Sequence, residues 1–149
     1  MIILGIGSNL GDRIHNIKQA IELTKKYLFL EEPILSPFYE SAALLPDKAP
    51  DSWNTPFLNM AIMGKTTLHP DVALIQLKRI EKELGRQERA VWAPREIDID
   101  ILAYGQIIVH QPHLVIPHPL LHTRSFVLFP LADIAPHWVH PHLHKPPLH

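Results

Sequence analysis

Apolar positions along this chain recur with two different periods, and the switches between them divide it into elements. Ile2-Ile3-Leu4-Gly5-Ile6 reads as a first strand. Gly7-Ser8-Asn9-Leu10-Gly11 reads as a turn. Asp12 is placed to cap a helix over 13–30, in which Ile14, Ile17, Ile21 and Leu28 share one stripe. Pro33 ends that segment, and 34–44 reads as a second strand, with Pro37 confining part of it to an edge or bulge. Residues 45–56 hold three prolines and two aspartates and read as a long loop. A third strand follows over 57–67. Pro70 suits the first turn of a helix over 70–84, with a stripe of Ala73, Leu77, Ile80 and Leu84 and with Gly85 as its stop. Beyond a second loop over 86–96 the period returns to two. The order β-α-β-β-α-β predicts an α+β, ferredoxin-like core, an antiparallel sheet with its flanking helices on one face. Gly105 then turns the chain, 106–109 reads as a short strand, and Thr123 is placed to cap a short helix from Arg124 that Pro130 kinks.

Pattern and charge conflict in the fourth strand. Ile97, Ile99 and Ile101 alternate with Asp98 and Asp100. Side chains at i and i+2 share a face, with Cα atoms roughly 7 Å apart. The isoleucines therefore enter a core while both carboxylates face the other way. Asp is a poor strand former and two like charges side by side repel. A positive partner must offset that repulsion, and a hard divalent cation is the natural one.

The charge of the rest of the chain supports this. Net charge is only −1 over 149 residues, which gives no general attraction to nucleic acid or membrane. Residues 78–95 nevertheless hold Lys78, Arg79, Lys82, Arg86, Arg89 and Arg95 against Glu81, Glu83 and Glu88. Lys82 and Glu83 read as a solvated helix face, but Arg86 and Arg95 lie past the helix. A basic segment beside an acidic pair suits a polyphosphate. Arg binds phosphate oxygens by two parallel bonds, Pro94 stiffens the approach, and Trp92 offers a ring to stack or to close a site. These parts fit metal-assisted phosphoryl transfer, in which two Mg²⁺ on two carboxylates clamp a triphosphate and activate a hydroxyl.

Other features exclude alternatives. The length fits one domain, and a hydrophobic fraction of 46% with 19% charged residues fits a globular protein. The absence of cysteine excludes disulfides, zinc–thiolate sites and thiol catalysis. No signal peptide or apolar membrane span is legible, so the cytoplasm is the expected location. Gly5-Ile6-Gly7 lacks the third glycine of a dinucleotide fingerprint, since position 10 is Leu. Gly64-Lys65-Thr66 lacks the first glycine of a P-loop, since position 59 is Asn. Ser8 sits in no nucleophile elbow. From His110 onward the chain holds nine of eleven histidines and eight of fifteen prolines. His140-Pro141-His142-Leu143-His144 fixes no ligand geometry and reads as incidental. One domain over 1–139 is expected, with an irregular tail over 140–149 that would lead toward a further domain.

Leu84-Gly85-Arg86, Trp92-x-Pro94-Arg95 and Ile97-Asp98-Ile99-Asp100-Ile101-Leu102 together resemble the 6-hydroxymethyl-7,8-dihydropterin pyrophosphokinase family of folate biosynthesis. Gly7 to Gly11, Phe38-Tyr39, Phe57-Leu58-Asn59, Ile116-Pro117-His118, Arg124-x-Phe126, Pro130-Leu131 and Ile134-Ala135-Pro136 support it, in family order over residues 2–139. The resemblance implies transfer of pyrophosphate from ATP to the pterin hydroxymethyl group, with release of AMP. It implies that Asp98 and Asp100 bind two Mg²⁺, and that Arg86 and Arg95 steady the phosphates. Glu81, Ile101, His118 and Arg124 match positions lining the ATP site. Asn59 matches the reader of the pterin edge, between Phe57 and Phe126 stacked on the two ring faces. Ser41, Ala42 and Leu44 match a segment that holds the pterin largely through backbone, and Trp92 would help seal the site. Loops 45–56 and 85–95 would close as lids.

The chain departs from the family pattern at Val91, where Arg is usual, and at Ala93, where Gly is usual. Lys78 replaces a Gln, His113 an Arg of some members, Ala42-Ala43 a frequent Pro-Pro, and Pro119 a Tyr. Arg89 is a candidate substitute for the Arg absent at 91. None of these removes a metal ligand. Two other classes compete. A nucleotidyltransferase would use the same Asp-x-Asp strand but release pyrophosphate. A ferredoxin-like RNA-binding module would need aromatics and basic residues on the sheet face, where this chain carries aspartates. The expected partners are small molecules, with no nucleic acid or membrane, and an isolated domain is expected to be a monomer.

Overall fold

The computed structural model describes residues 1–42, 47–87, 94–119 and 125–147, with Ser125 and Phe126 described in backbone only. Strand β1 (Ile2–Ser8) leads to helix α1 (Arg13–Tyr27), then to β2 (Glu31–Leu35) and β3 (Tyr39–Ser41). A 3₁₀ turn at Asp51–Trp53 precedes β4 (Phe57–Lys65), helix α2 (Pro70–Glu83) and β5 (Asp98–Tyr104). A hairpin of β6 (Val109–Gln111) and β7 (Leu114–Ile116) and helix α3 (Ser125–Ile134) complete the chain. The main sheet runs β2-β4-β1-β5 with β3 paired to β4 beyond β2, and every pair is antiparallel. This is the strand order of the β-α-β-β-α-β frame, in which β2 and β3 together serve as one strand.

The caps expected at Asp12 and Gly85 form. Asp12 accepts a hydrogen bond from the His15 N–H at 3.1 Å, and Gly85 takes φ +92° past α2. Three boundaries move. Helix α1 stops at Tyr27, and Phe29 turns the chain at φ +51°, so Pro33 lies inside β2 instead of ending the helix. The expected strand over 34–44 is broken between Leu35 and Tyr39. There Pro37 has no N–H to give, and Ser36 carries the ladder instead: its N–H donates to the Ala61 carbonyl and its Oγ accepts from the Ala61 N–H. The short strand expected at 106–109 falls later, at Val109–Gln111. Thr123 lies outside the described residues.

The helices do not all lie on one face. Ile2, Leu4, Ile6, Ile97, Ile99 and Ile101 meet α1 and α2 through Ile17, Leu77 and Ile80. Ile3, Ala61, Met63, Leu102 and Ala103 meet Leu131 and Ile134 of α3 on the other face. The central strands are apolar on both sides, so each side requires a cover. A bulge between Ile3 and Leu4 in the β1–β5 pairing lets Ile101 face one layer and Leu102 and Ala103 the other. Asp98 and Asp100 stand on the α3 side, near the end of β5 that α3 leaves open.

Candidate active site

One end of the sheet gathers the C-terminus of β1 and the N-termini of β4 and β5. Register places Asp98 opposite Gly7, Gly7 opposite Asn59, and Asn59 opposite Tyr39. One step along, Asp100 faces Gly5, and Gly5 faces Ala61. Cross-strand partners share a face, so the glycines of β1 form a floor between the carboxylates and Asn59, over which Leu102 covers Gly5 and Asn59 covers Gly7. Two strand spacings put the backbones of Asp98 and Asn59 roughly 10 Å apart. Gly7 therefore belongs to the strand and not to the turn expected there. A Cβ at Gly7 would come within 2.8 Å of Asn59 Oδ1 and 3.5 Å of Phe57 Cδ1. Asn59 leans over the space a side chain would take, and its Nδ2 donates to Ser41 Oγ at 2.9 Å.

On the other side of that floor, cations crowd the carboxylates. Arg86 Nη1 lies 3.0 Å from Asp98 Oδ1, and Arg95 Nη1 lies 3.5 Å from the same oxygen. Arg86 also binds Glu81 Oε2. Glu81, its side chain 4% exposed, is the buried hub: it accepts the Ile99 N–H at the open edge of β5 at 2.8 Å and pairs with Lys78 at 3.4 Å. His118 Nε2 stands 3.9 Å from Asp100 Oδ2, held there by its own N–H on the Leu102 carbonyl.

Burial raises the Glu81 carboxyl above its usual range, against the Ile99 N–H and the neighbouring cations, which lower it. Asp100 is pushed up to about 8 by the crowding of protein around it, then by the negative charges of Asp98 and Glu81. The Asp98 side chain is 26% exposed and that of Asp100 44%, so both remain open to a ligand. An upward shift is what two carboxylates sharing one opening demand, and a proton or a cation relieves it. Among the described residues no group of three His, Asp or Glu forms a metal-sized cluster. Two carboxylates leaving the other positions to water and phosphate oxygens are the donor set Mg²⁺ takes.

Arg86, Arg95, Asp98, Asp100 and His118 thus converge on one opening, with Glu81 buried behind Arg86 and with Phe57, Asn59 and Ser41 at the far side. Ala42 is exposed beside Ser41. Ile101 is core, so only its backbone at the strand edge faces outward. Leu44, Trp92 and Arg124 lie outside the described residues, as do Val91 and Ala93 and parts of both expected lids. Phe126 is described in backbone only, near the start of α3. Sequence patterning missed Asn9 and Thr55. Asn9 reads in the sequence only as one residue of a turn, yet it is 3% exposed and bonds to both sides of the site.

A family model for 7,8-dihydro-6-hydroxymethylpterin-pyrophosphokinase matches residues 3–136. The 2-amino-4-hydroxy-6-hydroxymethyldihydropteridine pyrophosphokinase of Aquifex aeolicus is 43% identical over 145 residues, covering 97% of this chain and 86% of that protein. A folate synthesis bifunctional protein of Chlamydia caviae is 40% identical, over 97% of this chain but 32% of its own length. The chain thus spans about a third of that bifunctional relative. Among solved structures, wild-type HPPK-DHPS of Plasmodium falciparum superposes with a TM-score of 0.69 at 17% identity, covering 98% of this chain and 43% of that one. At that identity the likeness speaks for the fold.

Proposed function

The chain belongs to the 7,8-dihydro-6-hydroxymethylpterin-pyrophosphokinase family, an ATP-dependent diphosphotransferase family of folate biosynthesis, and from that premise we propose which residues do the work. The row Asp98–Gly7–Asn59 supports the reading, because it puts the carboxylates and Asn59 on one face of the sheet, where we assign a metal-and-phosphate side and an acceptor side. Asp98 and Asp100 would hold two Mg²⁺. Bound there, the ions would neutralise phosphate charge and acidify the acceptor hydroxyl. Arg86 and Arg95, now on Asp98, are within reach of phosphates held at the carboxylates, and would stabilise charge as it builds in transfer.

The pterin hydroxymethyl oxygen attacks the β-phosphorus of ATP. The bond from that phosphorus to the α,β-bridging oxygen breaks, AMP leaves with that oxygen, and the hydroxyl proton passes to solvent. No side chain of the described site is a dedicated base for it. Asn59, already oriented by Ser41, would read the donor–acceptor edge of the pterin, with Phe57 and Phe126 on the ring faces and Ser41, Ala42 and Leu44 along its border. His118 and Arg124 would line the nucleotide, joined by the Ile101 backbone and sealed by Trp92. Glu81 serves the nucleotide from behind, by holding Arg86 and the edge of β5. Neither the nucleotidyltransferase nor the RNA-binding reading is favoured by these relatives. We place the unit over 1–139 with a tail to 149, as a cytoplasmic monomer when it stands alone.

The test is direct. Incubated with Mg²⁺, ATP and 6-hydroxymethyl-7,8-dihydropterin, the protein should release AMP and form the pterin diphosphate. ADP as the only nucleotide product would sink the proposal, and pyrophosphate with AMP left on the acceptor would favour the nucleotidyltransferase.

A further inference from the structure

We propose that Asn9 is a positioning residue that sets the phosphate side of the site against the acceptor side. It sits just past the end of β1, the strand between the two. Each of its polar groups has a partner, and the partners lie in opposite directions. Toward Arg95, its Oδ1 accepts the Arg95 N–H at 2.8 Å and its own N–H donates to the Arg95 carbonyl at 3.1 Å. Toward the acceptor side, its Nδ2 donates to the Thr55 carbonyl at 3.3 Å and its carbonyl accepts from Thr55 Oγ1 at 2.8 Å. Thr55 stands two residues before Phe57, where β4 begins. Arg13 adds a bond from Nη1 to the Pro56 carbonyl at 3.0 Å.

The consequence follows from the reaction. In-line transfer requires the attacking oxygen and the β-phosphorus to be held at a fixed separation, and an error near 1 Å costs on the order of 100-fold in rate. Arg95 enters from a loop, which strand pairing does not position. Phe57 enters from another. Asn9 is the one side chain among those described that bonds to both segments. Being buried, it does so in a low-dielectric setting where lost partners are not replaced by water without cost. It belongs to neither the phosphate-side nor the acceptor-side residues assigned above. Its effect should therefore fall on kcat through Arg95, and leave ground-state binding nearly intact.

This inference rests on the pyrophosphokinase reading, and its test separates the two. AMP release is measured on the full chain for wild type, Asn9→Ala, Arg95→Ala and the double variant, with KM for ATP and for the pterin taken separately. Asn9→Ala should lower kcat about 10- to 100-fold while either KM moves less than about threefold. If Asn9 acts through Arg95, the double variant should be within about twofold of Arg95→Ala alone. A merely structural residue would give losses that multiply. Multiplied losses, or a wild-type kcat in Asn9→Ala, overturn the inference and leave the activity standing. An inactive wild type overturns both. Should Asn9→Ala fail to fold, Thr55→Val removes only the hydroxyl bond and goes through the same cycle. There a loss of about 3- to 10-fold that does not multiply with Arg95→Ala supports the role, and a wild-type kcat or multiplied losses reject it.

Discussion

At the scale of single residues, the site is a balance between carboxylates that repel and cations that are shared. Arg86 and Arg95 both contact Asp98, whereas Asp100 faces His118 and has its carboxyl pushed up. Replacing either aspartate by alanine should cost at least about 100-fold in AMP release if, as proposed, each supplies oxygens to a bound Mg²⁺. A wild-type rate in either variant would refute the assignment. The metal-free protein offers a second test. An Asp100 carboxyl raised from 3.8 to about 8 binds its proton more tightly folded than unfolded. Its contribution to stability is then complete below about pH 4 and is lost as pH rises toward 8. In EDTA, the melting temperature of wild type should fall relative to Asp100→Asn between about pH 4 and pH 8. Parallel curves for the two proteins would show that Asp100 ionises normally.

At the scale of elements, β1 matters for what it omits. Gly5 and Gly7 between β4 and β5 each yield their side-chain space to a neighbour, Gly5 to Leu102 and Gly7 to Asn59. Gly7→Ala fits an extended backbone but drives a Cβ to 2.8 Å from Asn59 Oδ1. We expect KM for the pterin to rise about tenfold or more with KM for ATP little changed, and an unchanged pterin KM would mean that Asn59 does not read the acceptor. This glycine was legible in the sequence only as a turn residue, because its reason lies in a neighbour 52 positions away in register. The long elements were legible because each buries one stripe or one face: Ala73, Leu77 and Ile80 in α2, Ile97, Ile99 and Ile101 along β5. Strands of three residues such as β3, β6 and β7 are too short to show a period, and Pro37 hid a break as a bend. The Asp pair and its two arginines were legible from charge placed against pattern. Asn9 and the hub role of Glu81 were not, since a buried polar network has no period and is specified only by the fold around it.

At the scale of the whole molecule, chemistry and support occupy opposite ends of the sheet. The carboxylates stand where β1 ends, while Met1, Gly105 and the segment after α3 meet where it begins. There the Trp138 Nε1–H donates to the Gly105 carbonyl at 2.9 Å, and Gln106 Nε2 donates to the Val139 carbonyl at 2.8 Å. The histidine-rich tail, unpatterned in sequence, is tied into this end. His140 is 7% exposed, and its Nδ1 accepts the N–H groups of His142 and Leu143 at 3.1 and 3.2 Å. Its ring meets Trp138 edge-on at 5.7 Å. An imidazole used in this way is a turn-former, and its nitrogen is engaged by backbone. His140→Ala leaves two N–H groups to find water and opens the packing on Trp138, a loss of about 1–2 kcal/mol. The expected result is a lower melting temperature with kcat and both KM values within about twofold of wild type, because the change lies at the far end of β1 from the site. Thermal unfolding and the AMP assay on one preparation decide it. An unchanged melting temperature would show that the tail is not part of the folded unit. A large fall in kcat with the melting temperature preserved would mean that the two ends of the sheet are coupled through β1.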